Sequence, residues 1–219
     1  MLERIEIYVI NLPHRIDRRN DFQKHWEALG FGNLTVNWIE AIYDQDFGGL
    51  GCAKSHLETL VRFLTRSTAE FVMVLEDDFR FRHDYLFIDE ALKLVASGEA
   101  IWDVILLAGV QVRGIPSPLA FNELSVMKIL ESQTTSGYIT RRNYVERLIS
   151  VFTKSVVKME EFRPYRPREY FYHLYAVDQT WKVLQKFGAW IAFIPMLGVQ
   201  TASYSDIENR DADYSKISG

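Results

Sequence analysis

Apolar runs of strand length alternate along this 219-residue chain with longer segments of helical periodicity. Ile5–Leu12 is rich in Ile and Val and predicts a first strand, and Asp17–Leu29 follows it with helical spacing. Phe71–Leu75 is apolar at every position, which is typical of a strand covered on both faces of a parallel sheet. The alternation predicts an α/β fold with a mostly parallel central sheet, and we expect one domain over residues 1–219.

The same patterns predict the remaining elements. The glycine-rich stretch Gly48–Gly51 is predicted as a turn, and Lys158–Tyr175, crowded with Arg, Pro and Tyr, as a loop or an irregular insertion. The chain between Leu107 and Ser136 is interrupted by Gly and Pro and carries no assignment. Further strands are expected at Leu34–Ile39, Trp102–Leu107, Ser136–Ile139 and Trp190–Ile194. Further helices are expected at Ala53–Leu64, Arg142–Phe152 and Asp178–Phe187.

The composition excludes several classes of protein. Hydrophobic residues make up 48% and charged residues 25%, the balance of a soluble globular chain. A net charge of −4 argues against a broad nucleic-acid-binding face. Cys52 is the single cysteine, so no internal disulfide can form, and we expect a reducing, cytoplasmic location. No apolar segment reaches the roughly 18–20 residues of a transmembrane helix, although peripheral contact with a membrane stays open.

Three consecutive acids, Glu76, Asp77 and Asp78, follow the apolar run Phe71–Leu75. In an open α/β sheet, ligands bind beyond the carboxyl ends of the strands. If the extended backbone continues, Glu76 and Asp78 point to one side and Asp77 to the other. Two converging carboxylates suit a hard divalent cation, Mg²⁺ or Mn²⁺, that is shared with substrate phosphates. The alternative is that these acids are solvated or cap the next turn.

Two further segments could serve the same ligand. The first strand leads into INLPHRIDRR (residues 10–19), whose Arg side chains suit phosphate or uracil oxygens, unless they form a solvated helix face. Residues 48–56, GGLGCAKSH, combine glycines that allow close backbone approach with Ser55 and His56 in the following helix. His56 could equally be a core histidine. Cys52 and His56 are four residues apart, but the chain has no second Cys/His pair, so zinc is not predicted.

The chain resembles glycosyltransferase family 25, on the motifs VINLPHRIDRR, GGLGCAKSH and VLEDDF in this order. That family includes lipooligosaccharide galactosyltransferases and collagen galactosyltransferases. The resemblance continues through WDVILLAG, SGYITRRNYVERL, AVDQTWK and FIPMLGVQTASYSDIE, and so covers nearly the whole chain. It implies a GT-A-like nucleotide-binding fold. It also implies inverting transfer of a hexose, galactose or glucose, from a UDP-sugar, with Mn²⁺ (or Mg²⁺) as cofactor and a glycan, lipooligosaccharide or glycoprotein as acceptor.

The resemblance also implies roles for single residues. Asp78 would ligate the metal, and Glu76 would support the metal or the ribose. Asp77 is expected to bind the donor, and the alternative is that it stabilises the fold instead. The other expected donor-binding residues are Asn11, Leu12 and Arg15 at the uridine end, and Ser55 and His56 in the donor site.

An inverting transfer needs a general base to take the proton of the acceptor hydroxyl. Asp178 is the candidate base, and the competing interpretation is that it is the N-cap of the helix it opens. His173 is the reserve base, in a stretch of aromatic residues that could stack on sugar faces. Gln200 and Asp206 are weaker candidates for donor or acceptor contacts.

The sequence leaves two other functions open. One is a different metal-dependent enzyme, a nucleotidyltransferase, which would use the same acids but a denser triphosphate loop than INLPHRIDRR. The other is a non-catalytic module that binds a sugar nucleotide or a glycan. The intact acids Glu76, Asp77 and Asp78 argue against such a module.

Overall fold

The structure is a computed structural model that describes residues 1–97, 101–165, 168–201, 203–205 and 210–212. Asp206 lies outside the described residues. None of the described helices combines the length and the apolar character needed to cross a bilayer.

The described part of the chain contains strands β1 (Ile5–Asn11), β2 (Val36–Glu40), β3 (Phe71–Glu76), β4 (Phe79–Phe81), β5 (Val104–Leu106), β6 (Val110–Phe121), β7 (Leu124–Gln133), β8 (Gly137–Arg141), β9 (Trp190–Ile194), β10 (Gly198–Gln200), β11 (Ser203–Ser205) and β12 (Arg210–Ala212). Its α-helices are α1 (Ile16–Ala28), α2 (Gly48–Arg66), α3 (Tyr85–Ala96), α4 (Val145–Phe162), α5 (Arg168–Tyr175), α6 (Val177–Thr180) and α7 (Lys182–Phe187). Short 3-10 helices lie at Leu2–Arg4 and Arg142–Tyr144.

Eight strands form the central sheet in the order β2-β1-β3-β8-β5-β9-β7-β6. The strands β1, β2, β3, β5, β6 and β9 run in one direction, and β7 and β8 run against them. Two antiparallel pairs, β4 with β10 and β11 with β12, stand apart from this sheet. The predicted α/β fold with a mostly parallel sheet is confirmed.

Both faces of the sheet are covered at β3, as its unbroken apolar run predicts. Phe71, Met73 and Leu75 pack on one face, with residues of α1 and α3, whereas Val72 and Val74 pack on the other, with residues of α2 and α4. Because side chains of a strand alternate between faces, a strand covered on both sides must be apolar throughout. Glu76 is the first polar residue of this run, and it stands at the carboxyl end of β3.

The prediction of a turn at Gly48–Gly51 is wrong, because α2 already begins at Gly48. The glycines serve close packing instead. A Cβ atom on Gly51 would lie 2.3 Å from the carbonyl oxygen of Ile42, and one on Gly49 would lie 2.3 Å from the ring of Tyr172. Gly51 thus lets α2 approach the loop after β2, and Gly49 lets it approach α5.

The prediction of an irregular segment at Lys158–Tyr175 is also wrong. The helix predicted at Arg142–Phe152 continues as α4 to Phe162, and α5 follows at Arg168–Tyr175. The buried residues Phe152, Ser155 and Met159 recur at spacings of three and four, which is the helical period.

Two other regions differ from expectation. The unassigned chain between Leu107 and Ser136 forms the hairpin of β6 and β7, with β6 at the edge of the sheet. Pro116 and Pro118 lie in this edge strand, where proline is tolerated because one row of amides needs no ladder partner. The helix predicted at Asp178–Phe187 is divided at Trp181 into α6 and α7.

Candidate active site at the carboxyl edge of the sheet

Asp77 is held by donors from the first strand and the first helix. Its two carboxylate oxygens accept hydrogen bonds from Asn11 Nδ2 at 2.7 Å and from Arg18 Nη1 at 2.9 Å. The same Arg18 nitrogen lies 3.5 Å from Asp78 Oδ2, and only 14% of the Arg18 side chain is exposed. Arg18, predicted as part of an arginine cluster or a solvated face, is therefore the positive partner of two buried acids.

Asp78 is a buried acid whose two carboxylate oxygens differ in their hydrogen bonds. Its Oδ2 accepts a hydrogen bond from Gln200 Nε2 at 3.2 Å, but its buried Oδ1 has no hydrogen-bond partner in the described part of the protein. Burial, with the charges of Glu76 and Asp77, raises the pKa of Asp78 to about 7. A buried carboxylate oxygen without a donor requires a proton or a cation, so Asp78 fits the ligand set of a divalent ion.

Glu76, the last residue of β3, has different partners from those of Asp78. Its Oε1 accepts a hydrogen bond from Thr135 Oγ1 at 3.0 Å and lies 3.2 Å from His56 Nε2. Burial opposes ionisation of this carboxylate, but the hydrogen bonds from His56 and Thr135 outweigh it and hold the pKa of Glu76 below its ordinary value. Glu76 is therefore an anion at neutral pH, ready to bind a cation.

Cys52, His56 and Glu76 together could hold a divalent metal. One ligand atom from each, the Cys Sγ, a His ring nitrogen and a carboxylate oxygen, lie within 4.8 Å of one another. Burial and the neighbouring acids raise the pKa of the Cys52 thiol well above its ordinary value. The sequence shows the spacing of Cys52 and His56, but Glu76 joins them only because α2 packs beside the end of β3.

Asp178 lies in the first turn of α6, half-buried. Its Oδ2 accepts a hydrogen bond from the amide of Thr134 at 3.2 Å, and its Oδ1 accepts one from Gln179 Nε2 at 3.3 Å. The N-cap of α6 is Ala176, without a side-chain hydrogen bond, so the interpretation of Asp178 as the helix cap is wrong. Burial raises the pKa of Asp178, which favours a proton acceptor over a permanently ionised carboxylate.

An open cleft of about 170 Å³ is lined by Glu76 and Asp178, and Asp78 lies outside this lining but contacts it through Gln200. Gln200, half-buried in the cleft wall, donates to Asp78 and accepts from the hydroxyl of Thr134 at 3.1 Å. Thr134 has a φ of 70°, an unusual value for a β-branched residue. In this conformation its backbone amide donates the hydrogen bond to Asp178. The residues that line the cleft include Cys52, Glu76, Thr134, Tyr172, His173, Asp178 and Gln200.

The residues predicted for the uridine end lie at the carboxyl end of β1. Asn11 is buried, and its amide group donates to Asp77 and to the carbonyl oxygen of Arg15 at 3.1 Å. Arg15 forms a fork with Asp17, with two nitrogen–oxygen contacts of 3.0 and 2.9 Å. Leu12 is half-buried, and its carbonyl oxygen accepts from the amide of Arg15. These residues and Asp77 are outside the cleft lining, and Asp77 follows directly after Glu76, which lines the cleft.

Ser55 and His56, predicted for the donor site, are both about 1% exposed. The hydroxyl of Ser55 donates to the carbonyl oxygen of Gly51 and accepts from the amide of Ile42, each at 2.8 Å, so it ties α2 to the loop after β2. His56 lies behind Glu76, against Tyr138. The structure thus gives Ser55 a packing contact and places His56 behind Glu76, which lines the cleft.

Sequence reasoning missed several groups of this site. Thr134 and Thr135 lie in the stretch that received no assignment, and their contacts with Asp178 and Glu76 depend on a hairpin that the pattern did not reveal. Arg18 carried a usable signal, since it lies on the helix after β1 and acids follow β3, the neighbouring strand.

Comparison with known proteins adds three solved structures of low similarity. No family model matches the chain, and no curated protein matches it by sequence. The structures are A197 from STIV (12% identity, TM-score 0.37, 66% of this chain and 68% of that one), a glycosyltransferase involved in the glycosylation of the major capsid of PBCV-1 (10%, 0.43, 94% and 96%), and mannose-1-phosphate geranyltransferase from Thermus thermophilus (10%, 0.45, 93% and 76%). Likenesses at these values carry no conclusion about function, and membership of glycosyltransferase family 25 stays a prediction.

Proposed function

We propose that residues 1–219 form one glycosyltransferase domain with a GT-A-like fold. It moves a hexose, most readily galactose, from a UDP-sugar to a hydroxyl of a glycan or glycosylated acceptor, with inversion. The observation that carries this proposal is that Glu76 and Asp178 line one cleft. Asp78 lies next to it, and its buried Oδ1 lacks a hydrogen-bond donor among the described residues. The resemblance of its sequence motifs to those of glycosyltransferase family 25 supports it.

Asp78 and Glu76 are the proposed ligands of a Mn²⁺ or Mg²⁺ ion. Such an ion, when bound, neutralises the negative charge of a leaving diphosphate. Asp78 contributes the oxygen that has no donor among the described residues, and Gln200 and Arg18 hold the other oxygen in place. Asp77 accepts hydrogen bonds from both Arg18 and Asn11 and so holds the Arg18 side chain beside Asp78.

The uridine end of the donor is assigned to Asn11, Leu12 and Arg15, where β1 leaves the sheet. Ligands in open α/β sheets bind beyond strand ends, and β1 lies next to β3. The guanidinium group of Arg15 offers a planar fork that suits phosphate or uracil oxygens once it leaves Asp17. Ser55 and His56 support the donor site from α2.

The cleft itself suits the transferred sugar. Its volume of about 170 Å³ is below the roughly 300–1,000 Å³ of sites for drug-sized ligands, so it accommodates a sugar better than a whole nucleotide. Asp178 lines this cleft and takes the proton of the acceptor hydroxyl. His173 and the ring of Tyr172 line the same cleft and are placed to contact the sugar or the acceptor. We propose a lipooligosaccharide, another glycan or a glycoprotein as acceptor, in the cytoplasm or at a membrane surface.

Thermal unfolding with UDP tests the donor site. We expect UDP to raise the melting temperature only with Mn²⁺ or Mg²⁺ present, and Asp78→Asn to abolish this rise. Asp21→Asn, which changes an exposed acid of α1, serves as the matched control and should keep it. Equal stabilisation by UDP without a divalent ion, or in Asp78→Asn, would refute the assignment.

A further inference from the structure

We propose that Cys52, His56 and Glu76 bind a thiophilic divalent ion of the Zn²⁺ class, with a fourth coordination position open to the cleft. This site is distinct from the Mn²⁺ or Mg²⁺ position at Asp78 and does not depend on the identity of the donor. It explains why a thiol, an imidazole and a carboxylate from two separate elements meet at one point of the cleft wall.

The ligand atoms are spaced closely enough to approach one ion. Zinc bonds to sulfur, nitrogen and oxygen are about 2.0–2.3 Å long, which places the ligand atoms of one ion roughly 3.3–3.6 Å apart. His56 Nε2 and Glu76 Oε1 are already 3.2 Å apart, and the ligand atoms of all three residues lie within 4.8 Å of one another. The position of the Cys52 sulfur is set by rotation about a single side-chain bond, so it can adjust to an ion without movement of the backbone. On binding, the ion replaces the thiol proton, which is released to water.

His56 and Glu76 both have partners that orient them. In the metal-free protein the Nε2–H of His56 faces Glu76, and metal binding requires the other tautomer. In that tautomer the proton is on Nδ1, which lies 3.4 Å from the hydroxyl oxygen of Tyr138 and can donate to it, and the Nε2 lone pair is left for the ion. The hydroxyl of Thr135 donates to Glu76 Oε1 at 3.0 Å and fixes that carboxylate. Such partners are usual around metal-ligating His and carboxylate groups.

The exposure of the cluster indicates where the fourth ligand binds. Cys52 and Glu76 line the cleft, whereas His56 is only 1% exposed and closes the site from behind. Catalytic zinc sites have three protein ligands and one position left for water or substrate, whereas structural zinc sites have four protein ligands.

The ligand types separate this ion from the one assigned to Asp78. Thiolate and imidazole ligands favour Zn²⁺ and related transition metals, whereas Mg²⁺ and Mn²⁺ favour carboxylate and water oxygens. Glu76 has two carboxylate oxygens, so the use of Oε1 at this cluster leaves Oε2 for the neighbouring ion.

Titration of the metal-free protein with Co²⁺ tests the proposal. Cys52 is the single cysteine of the chain, so a sulfur-to-cobalt charge-transfer band can arise only from this residue. We expect a near-ultraviolet band that saturates at one Co²⁺ per chain, is bleached by stoichiometric Zn²⁺ and persists in excess Mg²⁺. Absence of the band, or its loss in excess Mg²⁺, would overturn the proposal.

Substitutions identify the other two ligands. Cys52→Ser should abolish the band, and His56→Gln and Glu76→Gln should each weaken Co²⁺ binding at least about tenfold. Tyr138→Phe, which removes the partner of the imidazole, should weaken it about 10–100-fold. Circular dichroism of each metal-free variant selects those that are folded. Unchanged Co²⁺ affinity in a folded His56→Gln or Glu76→Gln variant would overturn the proposal.

Asp78→Asn separates this inference from the proposed function. The variant should keep the cobalt band while it loses the stabilisation by UDP and Mn²⁺. A cobalt band in a protein that never responds to UDP would support the thiophilic site and refute the donor site. Loss of the band in a folded Asp78→Asn variant would show that the two positions are not distinct and would overturn the inference.

Discussion

Arg18 balances the charge of two buried acids, Asp77 and Asp78. Removal of one partner of a buried ion pair costs about 3–5 kcal/mol, because it leaves an uncompensated charge in the interior. We therefore expect Arg18→Gln to lower the free energy of unfolding by about this amount, as measured by urea denaturation. Lys24→Gln is the matched control, since its contact with Asp21 is 3.8 Å long and exposed, and it should change stability by less than about 0.5 kcal/mol. Equal effects of the two substitutions would contradict this role of Arg18.

Asp178 is the residue on which the proposed chemistry depends most. Asp178→Asn should leave UDP-sugar binding near normal and reduce transfer by about 10²–10⁴-fold, the usual contribution of a general base. The active form is the ionised carboxylate, so activity should fall as pH falls through the pKa of Asp178. Since burial raises this pKa, the loss should begin at a higher pH than for an ordinary Asp side chain. Full transfer by the Asn variant would leave Asp178 without a catalytic role.

At the level of single residues, the acids were predictable, whereas the contacts that hold them were not, apart from the signal that Arg18 carried on the helix after β1. Glu76, Asp77 and Asp78 stand out because they follow a strand that is apolar on both faces. Their partners come from elements distant in sequence, since Arg18 lies on α1, and Thr135 follows β7. Strand-end alternation predicted that Glu76 and Asp78 share a side, but the chain turns after Glu76 and the two acids contact different groups.

At the level of elements, α2 is the part that positions one wall of the cleft. Gly51 lets its first turn approach the loop after β2, and a Cβ atom there would lie 2.3 Å from a backbone oxygen that cannot rotate away. We expect Gly51→Ala to destabilise the protein by about 1–3 kcal/mol, as overpacking does. Gly32→Ala is the control, because its Cβ would meet its nearest neighbour at an ordinary 3.6 Å. Thermal denaturation of both variants measures the difference, and equal stability would contradict the packing argument.

The elements that sequence patterns missed share a physical cause. The hairpin of β6 and β7 contains Pro116 and Pro118, which usually argue against a strand but are acceptable on an edge. The second half of α4 has a helical apolar spacing, but the Pro and Arg residues that follow it hid this signal. In both regions proline residues obscured the pattern. In the hairpin tertiary packing overrides a local propensity against strand, whereas in α4 the helical spacing is present in the sequence.

At the level of the whole molecule, the alternation of strands and helices was enough to predict the α/β sheet and the edge at which ligands would bind. The positions of β7 and β8, which run against the other strands, were not predictable, because an antiparallel insertion leaves no mark in the alternation of apolar runs. That insertion brings Thr134 and Thr135 to the acids, so it determines one side of the cleft.

Hydrolysis of a panel of nucleotide sugars in the presence of Mn²⁺ tests the central claim most directly, because it needs no acceptor. We predict slow hydrolysis of UDP-galactose or UDP-glucose that requires a divalent ion and is lost in Asp78→Asn. Cleavage of a nucleoside triphosphate in place of any nucleotide sugar would indicate a nucleotidyltransferase. Hydrolysis of none of them, by a folded protein that holds the divalent ion, would contradict the proposed glycosyltransferase.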